Sequence, residues 1–215
     1  PEELLVDATA NQILCFGDYG SGNLMISGGI PPYNIIWTNE ISGEIVDPSM
    51  LEGGISGINY TVEVTDQNGC ISSDEIFINN EPEELIIENI NISDYNGFSV
   101  SCNGQNDGFI EITASGGTGG YTYNWSNGST SDSISNLIAG SYSCNITDAN
   151  GCSYANNPVV VLVTQPNQPL TLLSAPTNPV SCYGGSDGSV SLNLTGATPP
   201  YTFAWSNGAT TQDLI

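Results

Sequence analysis

The sequence contains no lysine, no arginine and no histidine among its 215 residues. An ordinary globular domain is about 25% charged, with both signs present. Here 23 Asp and Glu residues face no cationic side chain and leave a formal charge of −23. Ion pairs between side chains are therefore excluded. Nucleic acid is excluded as a direct partner, because phosphate contacts need cationic groups. An anionic membrane surface would repel the chain. Catalytic options narrow in the same way. There is no histidine for general-base work, no lysine for a Schiff base and no arginine to clamp an oxyanion, so Ser-His-Asp and Cys-His arrangements cannot exist. A carboxylate pair of the glycosidase kind remains chemically open, but the spacing of the acids marks none. No catalytic residue is assigned, and the chain is not expected to be an enzyme.

Other absences matter as much. No apolar run reaches 18 residues, so no segment reads as a membrane span. No signal peptide is visible at the start. No segment keeps a 3.6-residue apolar period over two turns. The opening residues look instead like a module boundary, since Pro1-Glu2-Glu3-Leu4 recurs as Pro82-Glu83-Glu84-Leu85. The sequence is expected to begin and end inside a longer polypeptide. Its charge favours self-repulsion and solubility.

What the sequence does contain is a repeat. Trp125-Ser126-Asn127-Gly128 returns as Trp205-Ser206-Asn207-Gly208, 80 residues later, and in weaker form as Trp37-Thr38-Asn39. The tryptophans follow Cys15, Cys102 and Cys182 by 22, 23 and 23 residues. Such periodicity is the signature of a tandem array. Three copies are read: 1–81, 82–165 and 166–215, the last lacking its second half. An array of one module points to length and presented surface.

The central copy shows the module. Ile110-Glu111-Ile112-Thr113-Ala114, Tyr121-Thr122-Tyr123-Asn124-Trp125 and Tyr142-Ser143-Cys144-Asn145-Ile146-Thr147 alternate apolar and polar, as half-buried strands do. Val159–Val163 closes the module. Gly116–Gly120 and Asp148–Cys152 interrupt the strands, and Asn127-Gly128 is a hairpin signal. Seven or so short strands in about 80 residues predict an all-β fold. The preferred form is a tandem array of immunoglobulin-like antiparallel β-sandwich repeats, extended along the chain. Trp37, Trp125, Trp205, Tyr60 and Tyr142 are expected as core aromatics, in preference to sugar-stacking platforms. Tyr19 and Tyr183 fall in loops and suit exposed contacts better.

The six cysteines sort by the repeat. Cys15 and Cys70 hold the same places as Cys102 and Cys152, at separations of 55 and 50 residues, and each copy is expected to close its own disulfide. A loop of this size would stabilise a module by roughly 3–4 kcal/mol. The alternative is that these cysteines are reduced core residues. Cys182 lacks a partner in this sequence. Cys144 aligns with Val62 and reads as a buried free thiol. The absence of CxxC and of histidine argues against a metal–thiolate site. Disulfides would imply an oxidising, extracellular setting.

Three motifs together carry a family resemblance: Cys102-Asn-Gly-Gln-Asn-Asp-Gly, Ser115-Gly-Gly-Thr-Gly-Gly-Tyr-Thr-Tyr-Asn-Trp-Ser-Asn-Gly, and Ala139-Gly-Ser-Tyr followed by Thr147-Asp-Ala-Asn-Gly-Cys. In these the chain resembles the SprB repeat family, found in very long cell-surface adhesins of Bacteroidota. The third copy matches too, with Cys182-Tyr-Gly-Gly-Ser-Asp-Gly and Thr198-Pro-Pro-Tyr-Thr-Phe-Ala-Trp-Ser-Asn-Gly. The first copy departs at Trp37-Thr38-Asn39-Glu40 and carries six extra residues between Trp37 and Cys70. The resemblance implies a secreted, surface-tethered filamentous adhesin exported by the type IX route, with gliding motility in some members and no catalytic residues to carry over.

Two further groups are candidate sites. Asp18, Asp107 and Asp187 lie in the cysteine loops, and Asp66 and Asp148 in Thr-Asp-x-Asn-Gly turns. They are candidate Ca²⁺ ligands, although no EF-hand pattern is present. The competing reading is an Asx-turn, in which the carboxylate caps its own backbone. Candidate glycan acceptors are the sequon residues Asn59, Asn91, Asn124, Asn127, Asn145 and Asn193, with Ser133 of Asp132-Ser133-Ile134 for O-linked sugar.

The resulting expectation is an adhesive stalk at the cell surface. Its partners would be neighbouring repeats, identical chains in a filament, or a surface polysaccharide. Two alternatives are a fibre subunit assembled by strand exchange and a carbohydrate-binding array of a secreted enzyme.

Overall fold

The computed structural model describes residues 2–215; Pro1, the first residue of the first repeat, lies outside them. The described chain contains strands, turns and bends but no helix. It divides into two compact units. One comprises the residues up to Ile87 with Ala114–Thr122 and Ile146–Asn157. The other comprises Glu88–Thr113, Tyr123–Asn145 and Pro158–Ile215.

In the first repeat, β1 (Leu5–Asn11) pairs antiparallel with β2 (Ser21–Ser27). A second sheet has the order β3-β4-β5, formed by Asn34–Asn39, Ile58–Thr65 and Ile71–Ile78. Alternation explains the strands. In β4, Ile58, Tyr60, Val62 and Val64 are buried, while the residues between them are more exposed. β-Branched and aromatic residues on one side of a pleat favour this half-buried surface. The two sheets enclose a core that adds Leu4, Ile13, Trp37, Leu51, Ile76 and Ile78, with Val6, Ala8, Leu24 and Ile26 packed against it. Leu51 bridges Gly20 and so extends the β1–β2 sheet by one short contact.

The central repeat has the fuller topology. Its strands are β6 (Ile86–Ile92), β7 (Gly108–Ser115), β8 (Thr122–Trp125), β9 (Ser133–Leu137), β10 (Gly140–Thr147) and β11 (Val159–Val163). They form two sheets, ordered β6-β7-β9 and β11-β10-β8. In immunoglobulin lettering these are A-B-E and G-F-C, with no strand D. The β3-β4-β5 sheet of the first repeat is the equivalent C-F-G sheet. A tyrosine at the E–F corner completes the likeness. The Tyr60 hydroxyl donates to Glu52 O (2.9 Å) and accepts from Glu52 N (3.1 Å), and the Tyr142 hydroxyl donates to Ile138 O (3.1 Å).

One turn behaves differently from its sequence signal. Asn127-Gly128 does form a tight turn, with Gly128 at φ 86° and its N–H bonded to Trp125 O. It is not a hairpin, because β9 pairs with β7 instead of β8. The Trp125 indole N–H donates to Ser131 O (2.8 Å), six residues on.

The third repeat contributes short pairs: β12 (Thr171–Ser174) with β15 (Asn193–Thr195), and β13 (Thr177–Asn178) with β14 (Ser189–Val190). No residue after Pro166 is buried.

Candidate functional site

The recurring chemistry lies in the loops between strands. The B–C loop and the F–G turn are tied together. The B–C loop is anchored identically three times: the hydroxyls of Tyr33, Tyr121 and Tyr201 donate to the carbonyls of Gly28, Gly116 and Gly196. These glycines have φ of 67°, 76° and 83°, and a Cβ on each would meet a backbone oxygen of the entry segment at 1.9, 1.9 and 2.0 Å. Only glycine fits such a close approach with positive φ.

The F–G turn is built on a buried aspartate. In the central repeat the Asp148 carboxylate accepts from the backbone N–H of Thr118, Asn150 and Cys152, each at 2.9 Å. Asp66 of the first repeat does the same with Ile30, Asn68 and Cys70. Both carboxylates thus tie their own turn to the B–C loop. Burial raises the Asp148 pKa, but the N–H groups of Thr118, Cys152 and Asn150 outweigh it, and the carboxyl titrates below its ordinary value. Asp66 is lowered by the Cys70, Ile30 and Asn68 N–H groups against its burial. The Asx-turn reading therefore describes both residues.

The cysteine loop lies between strands A and B. A turn closes on each cysteine carbonyl: Asp18 N to Cys15 O, Gln105 N to Cys102 O and Gly185 N to Cys182 O. Asp107 accepts from Ser101 N and Asp187 from Ser181 N, both at 3.0 Å, and the side-chain and backbone bonds from these serines lower both carboxyls. Asp18 is exposed and lines a cavity of about 650 Å³ with Glu52, Glu81 and Glu83. The five candidate calcium aspartates are thus spread over separate loops. Among the described residues no three acidic, cysteine or histidine side chains come together as a metal set.

The cysteine pairing requires a correction. Cys15 is bonded to Cys152, with Cα atoms 5.5 Å apart, and Cys70 and Cys102 are exposed free thiols. The expected pairs Cys15–Cys70 and Cys102–Cys152 do not form. Strand register gives the reason. Ile13 N donates to the Asn79 side chain, and Gln12 bonds Phe77 O and Asn79 N, so strand A ends beside the end of β5. Cys70 lies nine residues upstream of Asn79, roughly 30 Å away at about 3.3 Å per residue. Cys15 and Cys70 therefore sit at opposite ends of the first repeat's sandwich. The bond instead joins the A–B loop of the first repeat to the F–G turn of the central one. Asn150 Nδ2 reinforces it by donating to Leu14 O (3.1 Å) and Thr118 Oγ1 (2.8 Å).

The remaining candidates fall as follows. Cys182 is free and exposed, and Cys144 is fully buried and free, with its thiol pushed up by burial. All six sequon asparagines are exposed, and Ser133 is half-buried. Trp37, Trp125 and Tyr60 are buried at 4%, 5% and 1% exposure, whereas Tyr142 and Trp205 are only half-buried. Tyr142 stands at a corner, and no residue after Pro166 is buried around Trp205. Tyr33, Tyr121 and Tyr201, the B–C anchors, had a sequence signal in their fixed five-residue distance from the loop's first glycine.

The family model described as the SprB repeat matches residues 99–130 and 174–210. The two matched regions are SprB repeats. That family is a cell-surface one of a non-enzymatic kind, and a repeat protein of the adhesin type is the coarse class it indicates. Among solved structures, the chain is similar to a C-terminal 282-residue fragment of intimin, in complex with the translocated intimin receptor (Tir) intimin-binding domain. The TM-score is 0.45 at 16% identity, over 77% of this chain and 67% of that one. No curated protein matches the chain. No helix among the described residues is long and apolar enough to cross a membrane.

Proposed function

We propose that the chain is a segment of a secreted adhesin stalk held at the cell surface, with repeats at 1–81, 82–165 and 166–215 acting as spacer modules. The observation that carries this reading is the recurrence of one anchored module. The same tyrosine–glycine bond occurs three times, and the same aspartate-pinned turn twice. Repetition of a scaffold supplies reach and many copies of one weak contact surface. A lawn of uncompensated carboxylates keeps such stalks apart and hydrated. The adhesive ligand fits a surface polysaccharide or glycan met by loop residues, since the repeated aromatics are largely spent on packing. The exposed sequon asparagines are available for modification, and filament assembly and movement during gliding are further roles this reading allows.

The test is antibody labelling of intact cells, paired with adhesion of cells in which this segment is deleted. Surface label and reduced attachment are expected. Label found only after permeabilisation, or unchanged attachment, contradicts the reading. Displacement of bound antibody along moving cells tests the gliding role.

A further inference from the structure

The single disulfide and the three exposed free cysteines obey one rule. Cys15 occupies the A–B loop of its repeat, as do Cys102 and Cys182. Cys152 occupies the F–G turn, as does Cys70, and the two turns share their hydrogen bonds down to the aspartate that caps them. The bond that forms runs from the A–B loop of one repeat to the F–G turn of the next. The same rule assigns Cys102 to the F–G turn of a following repeat and Cys70 to the A–B loop of a preceding one.

A second observation, independent of the sulfur atoms, supports this. The Cys15 loop grips the linker that leads into the next repeat, through Gly17 N and the Glu81 carboxylate. The Cys102 loop grips its own outgoing linker at the equivalent atoms: Gly104 N donates to Gln165 Oε1 (2.9 Å), and Asn103 Nδ2 donates to Pro166 O (2.8 Å). The loop that presents Cys102 is thus fixed at the exit of its repeat, where the following repeat begins. At the other end, Cys70 borders a cavity of about 380 Å³, lined also by Glu2, Glu3, Gly29, Asp66 and Asn68. Asn68 holds the place from which Asn150 reaches Leu14 across the formed junction.

We infer that Cys70, Cys102 and Cys182 are half-cystines of a continuous ladder, in which every repeat is covalently stapled to its neighbour and none is closed on itself. The partner is an adjacent repeat of the same polypeptide. Each rung forms as two thiols lose two protons and two electrons. The acceptor is the disulfide of a thiol–disulfide oxidoreductase, which is reduced to its dithiol as the new S–S bond closes. Because successive rungs overlap along the sequence, opening one repeat under load leaves the covalent path between its neighbours intact. The inference is independent of what the array binds, and failure of adhesion does not bear on it.

The test uses the natural polypeptide collected without reductant, with free thiols blocked by iodoacetamide. Digestion must use acid-directed or aromatic-directed proteases, because the chain offers no lysine or arginine. Mass spectrometry is expected to recover Cys102 and Cys70 joined to peptides of adjacent repeats, and to find Cys144 alkylated only after denaturation. Alkylated Cys102 and Cys70, a Cys102–Cys152 or Cys15–Cys70 peptide, or bonds between separate chains would each overturn the ladder. Cys152→Ser provides the control. It is expected to release Cys15 alone to alkylation in the 215-residue chain, whereas within-repeat pairing would release Cys102.

Discussion

The central repeat and residues 167–215 share their motifs but not their burial. In both, the tryptophan N–H groups close the same turn: Trp125 N bonds Ser129 O and Trp205 N bonds Ala209 O, both at 3.0 Å. In both, the indole donates to the residue six positions on, at 2.8 Å. Yet Trp125 is 5% exposed, whereas Trp205 is half-buried and no residue around it is buried. Local sequence therefore suffices for turn geometry, which needs only nearby donors, acceptors and permissive glycines. It does not suffice for a core, which needs a second sheet. Beside Trp125 that second layer is the β11-β10-β8 sheet; the strands of residues 167–215 pair only as β12-β15 and β13-β14.

That contrast predicts a graded series. Trp125→Ala should cost about 3–5 kcal/mol of unfolding free energy, the range for deleting a buried large aromatic. Trp205→Ala should cost under about 1.5 kcal/mol, because most of its contacts are not buried. Denaturant titration measures both, and equal costs would erase the distinction. Asp148→Ala should cost about 2 kcal/mol by stranding backbone donors that the carboxylate now satisfies. Asp187→Ala, at an exposed loop, should change stability far less.

The same carboxylates set a pH dependence. Asp66 and Asp148 titrate below their ordinary value of 3.8 when folded. The unfolded chain then binds more protons in this window, so their contribution is complete above about pH 4 and is lost as pH falls through the lower folded values. The stability gap between the native chain and Asp148→Asn should therefore shrink below pH 3.8, as read by thermal melts across pH 2–6. A gap that widens on acidification would contradict the assigned hydrogen bonds. A small effect is also expected from Cys144→Val, which places in the central repeat the residue found at Val62 of the first. A change under about 1.5 kcal/mol is expected for such a volume-conserving swap.

Much of the module was legible in the sequence, and the reasons are specific. Alternation exposed β7, β8 and β10, because one-sided burial on a pleat imposes a period of two. The Asp66 and Asp148 turns were legible as Asx-turns, since Thr-Asp-x-Asn-Gly-Cys carries its own hydrogen-bonding logic. The sheet to which β9 belongs was not legible, because a turn signal fixes local φ and not the strand's partner. Cysteine pairing was misread for a related reason. Equivalence between copies identifies which cysteines share a place, but it does not say at which end of the sandwich that place lies. Only the register of strand A beside β5 separates Cys15 from Cys70.

Stretching the 215-residue chain by its ends in a single-molecule force experiment, before and after reduction, tests the between-repeat staple most directly. The Cys15–Cys152 bond hides a segment of 137 residues, so reduction should release about 480 Å of contour in one step at about 3.5 Å per residue. Two hidden segments of 55 and 50 residues, Cys15–Cys70 and Cys102–Cys152, would release about 190 and 175 Å separately at the same rise per residue, and that result would contradict the account.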